Sequence, residues 1–461
     1  MSQLAAASAD RIQYPPGFRA RRGLNWVILG ATYASFYMCR YNFRFATPGM
    51  EQEFGFQDKQ IADILSASSL AYGIGQLANG LICDRIGGRA SMVIGAIGTV
   101  LINFIYGFAS FTGTFSTFAL IWLLNGYLQS FGSPGMIKIN AAWFNRSERG
   151  TFSGIFGLMI QLGQVAINNL APFILAGFTF LGFVIAKDDW RWLFRLPPLI
   201  TACMAVLVAL IPRETPEAAG YSGCIKDDSD TSAGDHASVR VSVKECFVTI
   251  FSHPLVWFYA LAYAATGAVR HSSDQLSVLY FEKYLGLHMS EKPKEVMWTL
   301  NIVPLVAVAG SLISGVVSDK LFRGRRSPVA LALYSVLSLV LVLASLATWA
   351  GALGKSPTGI LLACFFLILV SFNVNATHSI VGAAAPMDIG GRRMAGFASG
   401  VIDSFQYFGA AIALPIIGRL IGKYGWGAWY PAMLVFGAVG IVAMLLVMRR
   451  QRLRAAQAPR S

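Results

Sequence analysis

Long apolar runs separated by short polar connections recur from Leu24 almost to Met448, and twelve of them are long enough to be membrane spans. A helix needs roughly 20 predominantly apolar residues to cross the hydrocarbon of a bilayer. The runs cover approximately residues 24–49, 61–83, 90–110, 115–142, 149–176, 190–212, 254–285, 295–318, 327–350, 357–386, 393–420 and 427–448. Strands of a closed barrel, the other structure that can span lipid, would be about ten residues of alternating polarity. These runs are continuous, so the pattern predicts an all-α membrane protein.

A polar stretch from Arg213 to His253, rich in Asp, Ser, Gly and Glu, separates six spans from six and has the composition of a flexible linker. The predicted organisation is a tail (1–23), a six-helix bundle (24–212), the linker (213–253), a second six-helix bundle (254–448) and a basic tail (449–461). The halves share punctuation. Gly80-Leu-Ile-Cys-Asp84-Arg85 ends span two and Gly315-Val-Val-Ser-Asp319-Lys320 ends span eight; Gly150-Thr-Phe-Ser153-Gly154 and Gly396-Phe-Ala-Ser399-Gly400 open spans five and eleven. Offsets of 235 and 246 residues preserve the order, as expected of two parallel repeats with a binding site between them at the midplane. Asp84, Arg85, Asp319 and Lys320 then become candidate cytoplasmic gate residues.

Composition agrees, since 461 residues that are 55% hydrophobic and 13% charged exceed what a soluble core can bury. The net charge of +14 raises the question of nucleic acid, and the distribution of the 37 Lys and Arg answers it. With the N-terminus in the cytoplasm, the tails and even-numbered connections hold 23, the opposite loops eight, and the spans or their edges six. That is the positive-inside pattern. It predicts a multi-pass protein of a bacterial inner membrane with both termini cytoplasmic, partnered by lipid and not by nucleic acid. The first 22 residues are polar and carry no cleavable signal, and the six cysteines show no metal-ligand spacing. No disulfide, metal or cofactor is expected. A phosphate-cradling glycine loop and a nucleophile elbow are absent as well, which argues against an enzyme.

Charged residues deep in a span are the next signal, because an arginine at the bilayer centre costs about 2.5–3.5 kcal/mol on insertion scales and so faces a cavity or a partner. Arg40 and Arg44 lie inside span one and Arg270 inside span seven. Tyr33, Tyr37, Arg40 and Arg44 follow i, i+4, i+7, i+11 spacing and form one stripe. Arg40 precedes Asp84 by 44 residues and Arg270 precedes Asp319 by 49, so the two arginines are near equivalents in the repeat. One guanidinium from each half would offer planar forks of donors suited to a phosphate or carboxylate dianion. The alternative is structural: Arg270 pairing with Asp274 four residues on, and Arg40 bonding carbonyls. Arg44 and Lys138 suit structure and substrate equally well. Tyr72 with Gln76, Asn125 with Gln129, Gln161 with Gln164 and Asn168, and Asp403 with Tyr407 have helical spacing and either line the cavity or join helices. His271 and His378 are the only histidines in spans.

At these residues the chain resembles the organophosphate/inorganic phosphate antiporters of the major facilitator superfamily, nearly end to end. The most specific pieces are Tyr37-Met-Cys-Arg40-Tyr-Asn42-Phe43, Ala71-Tyr72-Gly73 and Gly310-Ser-Leu-Ile-Ser-Gly315-Val-Val-Ser318-Asp319-Lys320-Leu-Phe322-Arg323-Gly324. The resemblance implies the major facilitator fold, phosphate binding by Arg40 and Arg270, and a pocket approached by Tyr33, Tyr37, Tyr72 and Tyr407. It also implies a monomer that exchanges a small organophosphate, glycerol-3-phosphate or another sugar phosphate, for inorganic phosphate. The chain departs from the family at Tyr41 and Gln76, where the family has lysines, at Ser133 and Gly135 in span four, and at Ile160, with Gln161 beside it, where glycerol-phosphate carriers have a histidine. Two other readings stay open: a sugar-phosphate sensor with the same fold, and a proton-coupled symporter of an organic anion using Asp274 or Asp403.

Overall fold

The computed structural model describes residues 14–108, 113–180, 182–225, 252, 254–323 and 325–457, with backbone alone at 146–156, 160, 383–399 and 454–457. Residues 1–13, linker residues 226–251 and 253 with Cys246, and the side chains of Gly150–Gly154 and Gly396–Ser399 lie outside the described set.

Apolar composition makes nearly every segment a helix. The first half holds α1 (Phe18–Phe54), α2 (Asp58–Ile86), α3 (Gly88–Phe108), α4 (Phe115–Gln129), α5 (Gly132–Trp143), α6 (Arg146–Leu175) and α7 (Leu196–Leu210). The second holds α8 (Pro254–Leu279), α9 (Lys294–Leu321), α10 (Arg326–Trp349), α11 (Pro357–Tyr424) and α12 (Trp429–Gln457). Span four is thus broken between α4 and α5, and span seven ends in a π turn over Tyr280–Tyr284. A two-stranded antiparallel hairpin, β1 (Phe178–Phe180) with β2 (Phe183–Ile185), fills the connection before span six and is the one sheet among the described residues.

At 68 residues, α11 would be roughly 100 Å long if straight, about three times the hydrocarbon thickness. Instead Arg270 touches both His378 and Gln406, which places the two parts of α11 side by side as antiparallel legs. These legs are spans ten and eleven. Counting α4 with α5 as one span and α11 as two gives twelve membrane-length passes among the described residues. Eight helices meet a threshold of length and hydropathy for crossing a membrane; α1, α2, α4 and α8 are not among them. α4 is short, at 15 residues, and α1, α2 and α8 carry Arg40, Arg44, Gln76, Arg270 and Asp274, polar groups that face the interior of the molecule.

Three apolar clusters show how the halves meet. One is shared: Phe45, Met50, Ile61 and Leu65 of the first half pack in the same cluster as Leu276, Leu279, Leu300, Leu414 and Ile417 of the second. All of these lie toward the helix ends opposite the termini. The other two clusters lie on the terminus side, one built on Phe18, Phe36, Met92 and Trp143 of the first half, the other on Tyr259, Tyr263, Tyr334 and Met444 of the second with Leu77 of the first packed at its edge. The halves therefore share one core on the far side and keep separate cores on the terminus side, where Leu77 bridges them.

Polar bonds across the interface repeat that asymmetry. Lys283 Nζ contacts Glu51 and Asp58, each at 2.7 Å; Arg44 donates to the Asp274 carbonyl at 2.6 Å; Asn169 and Asn301 exchange side-chain bonds; and Ser66 donates to the Ala411 carbonyl at 2.5 Å. Every one of these residues sits on the far side of the arginine level; Gln76 with Asp403 is a bond that crosses on the terminus side.

The first part of the linker is docked. The Glu214 carboxylate accepts from the amides of Gly88 and Arg89 at 3.0 and 2.7 Å, capping the positive end of α3, and Trp143 donates to the Arg213 carbonyl at 2.9 Å. The turn between α2 and α3 depends on Gly87, whose φ of 94° belongs to the left-handed region and whose missing Cβ would stand 2.8 Å from Glu214.

Candidate functional site

The stripe on α1 is a ladder of rings: Tyr33 to Tyr37 at 5.7 Å and Tyr37 to Tyr41 at 5.5 Å between centroids. Arg40 lies over two rings, 5.1 Å from the Tyr37 centroid and 4.4 Å from that of Tyr72. Tyr72 then packs at a tilt against Tyr407, 4.3 Å between centroids across the two halves, and Tyr33 and Tyr72 share a hydroxyl bond at 3.1 Å. The four tyrosines named from sequence are thus brought together around Arg40.

Arg40 donates through Nε to Gln129 at 2.9 Å. Its Nη2 is buried and meets no acceptor, and no carboxylate pairs with Arg40 among the described residues. Gln129 is fixed by an amide network that runs through Asn125, Asn103 and Asn42, with Gln129 and Asn125 both bonding the Cys39 carbonyl. Asn125 therefore joins helices, whereas Gln129 also orients the guanidinium. A chamber of about 20 Å³, enough for a single water, lies against Arg40, Tyr72, Gln129, His271 and Tyr407.

Arg270 faces a larger cavity of about 480 Å³ on the terminus side of the interface, lined also by Tyr37, Gln161, Tyr263, Ser311, Asn375 and His378. The Tyr37 ring, 5.1 Å from the Arg40 guanidinium, also lines this cavity. Arg270 contacts Asp274 at 3.9 Å, which realises the pairing open from sequence, but its Nη1 approaches His378 Nε2 at 3.4 Å and Gln406 Oε1 at 3.2 Å. Gln406 is held by Asp403 at 2.5 Å, and Gln76 of the other half reaches the same carboxylate. His271 turns away from this cavity toward the Tyr407 ring, 5.2 Å off.

Two residues left open by sequence take structural positions. Arg44 bonds the Asp274 carbonyl and Asn168, tying α1 to α8 and α6. Lys138 bonds the carbonyls of Cys83 and Asp84 at 2.9 and 3.0 Å, satisfying the end of α2. At the expected gate, the Asp84 carboxylate is 77% exposed and meets Lys138 of its own half at 3.7 Å, and Arg85, Asp319 and Lys320 are exposed. Tyr263 and Gln406 are site residues that the sequence did not single out, whereas Gln129 and His378, noted there for helical spacing and for position in a span, here contact Arg40 and Arg270. The i, i+3, i+4 spacing of Asp403, Gln406 and Tyr407 was the available signal for Gln406.

With this geometry in hand, the family is decided by a model of the Major Facilitator Superfamily that matches residues 29–414. The chain belongs to that superfamily. Among solved structures it is similar to a bacterial homologue of the human lysosomal transporter Spinster, captured inward-facing and unoccupied, with a TM-score of 0.74, 16% identity, and 94% and 97% of the two chains covered. The D-xylose–proton symporter superposes with a TM-score of 0.66 at 14% identity over 92% and 96%. Curated relatives include a probable hexose phosphate transport protein of Chlamydia trachomatis, 26% identical over 90% of this chain and 88% of that one. The glycerol-3-phosphate transporter of Bacillus subtilis is 25% identical over 90% and 89%, and the membrane sensor protein UhpC of Escherichia coli is 26% identical over 96% and 95%. This major facilitator protein is a transport-type membrane protein and not an enzyme.

Proposed function

We propose that the chain exchanges a small organophosphate for inorganic phosphate by alternating access, and that Arg40 and Arg270 bind the phosphoryl group. The observation that carries this reading is the pair of half-buried interior arginines at matching repeat positions, Arg40 beside the Tyr37 ring and Arg270 on the cavity that Tyr37 lines, the first with an unspent donor and no acidic partner among the described residues. A phosphate dianion supplies the acceptors that Arg40 Nη2 lacks and competes with Asp274 for Arg270. When the Tyr37 ring swings aside, both forks engage one anion, and the charge they share draws the halves together on the terminus side. Asp84 with Arg85 and Asp319 with Lys320 then meet as the gate on that side, while the Lys283 contacts open on the other.

In this reading the terminus side is cytoplasmic, the membrane is the bacterial inner membrane, the protein works as a monomer, and outward phosphate movement drives uptake of glycerol-3-phosphate or another sugar phosphate. The relatives that carry glycerol-3-phosphate or hexose phosphate support the substrate class. The test is counterflow in liposomes loaded with inorganic phosphate, with labelled phosphate outside and unlabelled organophosphates and dicarboxylates as competitors. Saturable exchange inhibited by an organophosphate is expected; no phosphate exchange would refute it.

A sensor reading is favoured by one observation, the membrane sensor relative that aligns with 96% of the chain. Saturable phosphate-ester binding with negligible flux in the same liposomes would select it.

A further inference from the structure

The cavity beside Arg270 contains more recognition chemistry than a phosphate uses. Ser311 spends its hydroxyl on the Ala307 and Asn375 carbonyls, and Asn375 donates to the Ser371 carbonyl, so those walls are satisfied internally. Two polar atoms are not. Gln161 Oε1 on α6 and His378 Nδ1 on α11 are both buried and have no partner among the described residues.

Their chemistry is complementary. Arg270 can only donate, so His378 Nε2, 3.4 Å from its Nη1, is an acceptor, and the hydrogen of the neutral imidazole sits on Nδ1. The ring is held by stacking on Tyr263 at 5.0 Å and 17°. Both residues line the cavity, so its wall holds one unspent donor in the second half and one unspent acceptor in the first. A hydroxyl group both donates and accepts, and a buried polar atom left unpaired carries a desolvation cost that a ligand hydroxyl removes.

We propose that Gln161 and His378 form a hydroxyl-reading subsite, distinct from the arginines, that selects phosphomonoesters with a hydroxyl-bearing carbon tail over unadorned phosphate. This inference rests on the exchange reading above. A tail bonded to both residues spans the two halves, whereas inorganic phosphate engages the arginines alone. A cavity of about 480 Å³ lies within the range of small-molecule sites and has room for such a tail.

The test pairs ligand and residue deletions in the phosphate-loaded liposomes. Glycerol-3-phosphate and glucose-6-phosphate carry tail hydroxyls, and propyl phosphate carries none. The unaltered protein should prefer the hydroxylated esters to propyl phosphate by about tenfold or more, the scale of a few hydrogen bonds. In His378→Phe and Gln161→Leu that preference should collapse toward unity, and His378→Asn, which returns an N–H near the Nδ1 position, should restore part of it. Equal loss for all three esters and phosphate would overturn the subsite and reduce His378 to a support for Arg270. An unchanged preference in both variants would also overturn it. Failure of the unaltered protein to exchange phosphate at all would instead refute the exchange reading, and this inference with it.

Discussion

Arg40 donates through Nε to Gln129 Oε1 at 2.9 Å, and Gln129 in turn donates to the Cys39 carbonyl at 3.2 Å. This relay fixes the edge of the guanidinium that faces away from the interface and leaves Nη2 for an anion. Gln129→Leu should therefore raise the half-saturation concentration for phosphate by about tenfold or more, the worth of a hydrogen bond to a charged group. Gln129→Glu should nearly abolish binding by supplying Arg40 with a carboxylate. Equilibrium binding of labelled phosphate to purified protein checks both.

Among the described residues Lys283 is the cation that contacts both Glu51 and Asp58 on the far side, and it binds the second half to the first. Lys283→Ala leaves two carboxylates facing one another and should shift the population toward the form open on that side. A Ser66→Cys reporter at the buried interface should then react with a membrane-impermeant maleimide about fivefold to tenfold faster, consistent with losing a partly exposed ion pair of about 1 kcal/mol or slightly more. An unchanged labelling rate would show that the apolar cluster alone holds this side closed.

A Cβ at Gly267 would stand 2.0 Å from the Gln406 carbonyl oxygen and one at Gly409 2.0 Å from that of Ala264, so α8 and the second leg of α11 touch backbone to backbone. Gly267→Val should lower the melting temperature in detergent by several degrees or prevent folding, at a cost of about 1–3 kcal/mol for overpacking. Gly80 and Gly315, the repeated glycines before Asp84 and Asp319, meet nothing within 4 Å. Alanine at either should leave the melting temperature within about 2 °C of the parent, the effect of a change smaller than about 0.5 kcal/mol.

The fold was legible because lipid imposes length and polarity on each span, and the repeat placed Arg40 and Arg270 at matching depths. Span boundaries blurred where residues continue as helix beyond the bilayer, as at Phe18 and Phe54 in α1. The tyrosines followed from spacing on single helices. Gln406 did not, and His378 showed only as a histidine within a span, because the importance of both comes from a contact with Arg270 across helices more than 100 residues apart in sequence. Nor does spacing say that the Tyr37 ring lies beside Arg40 and lines the Arg270 cavity, or that Arg44 and Lys138 bond carbonyls.

The most direct test replaces each arginine by lysine, which keeps the charge and removes the planar fork. In phosphate-loaded liposomes, Arg40→Lys and Arg270→Lys should each reduce phosphate counterflow about twentyfold or more, the scale of losing a buried charged contact, while matching the parent in expression and melting temperature. Exchange at the parental rate by both variants would contradict the assignment of these arginines as the phosphate site.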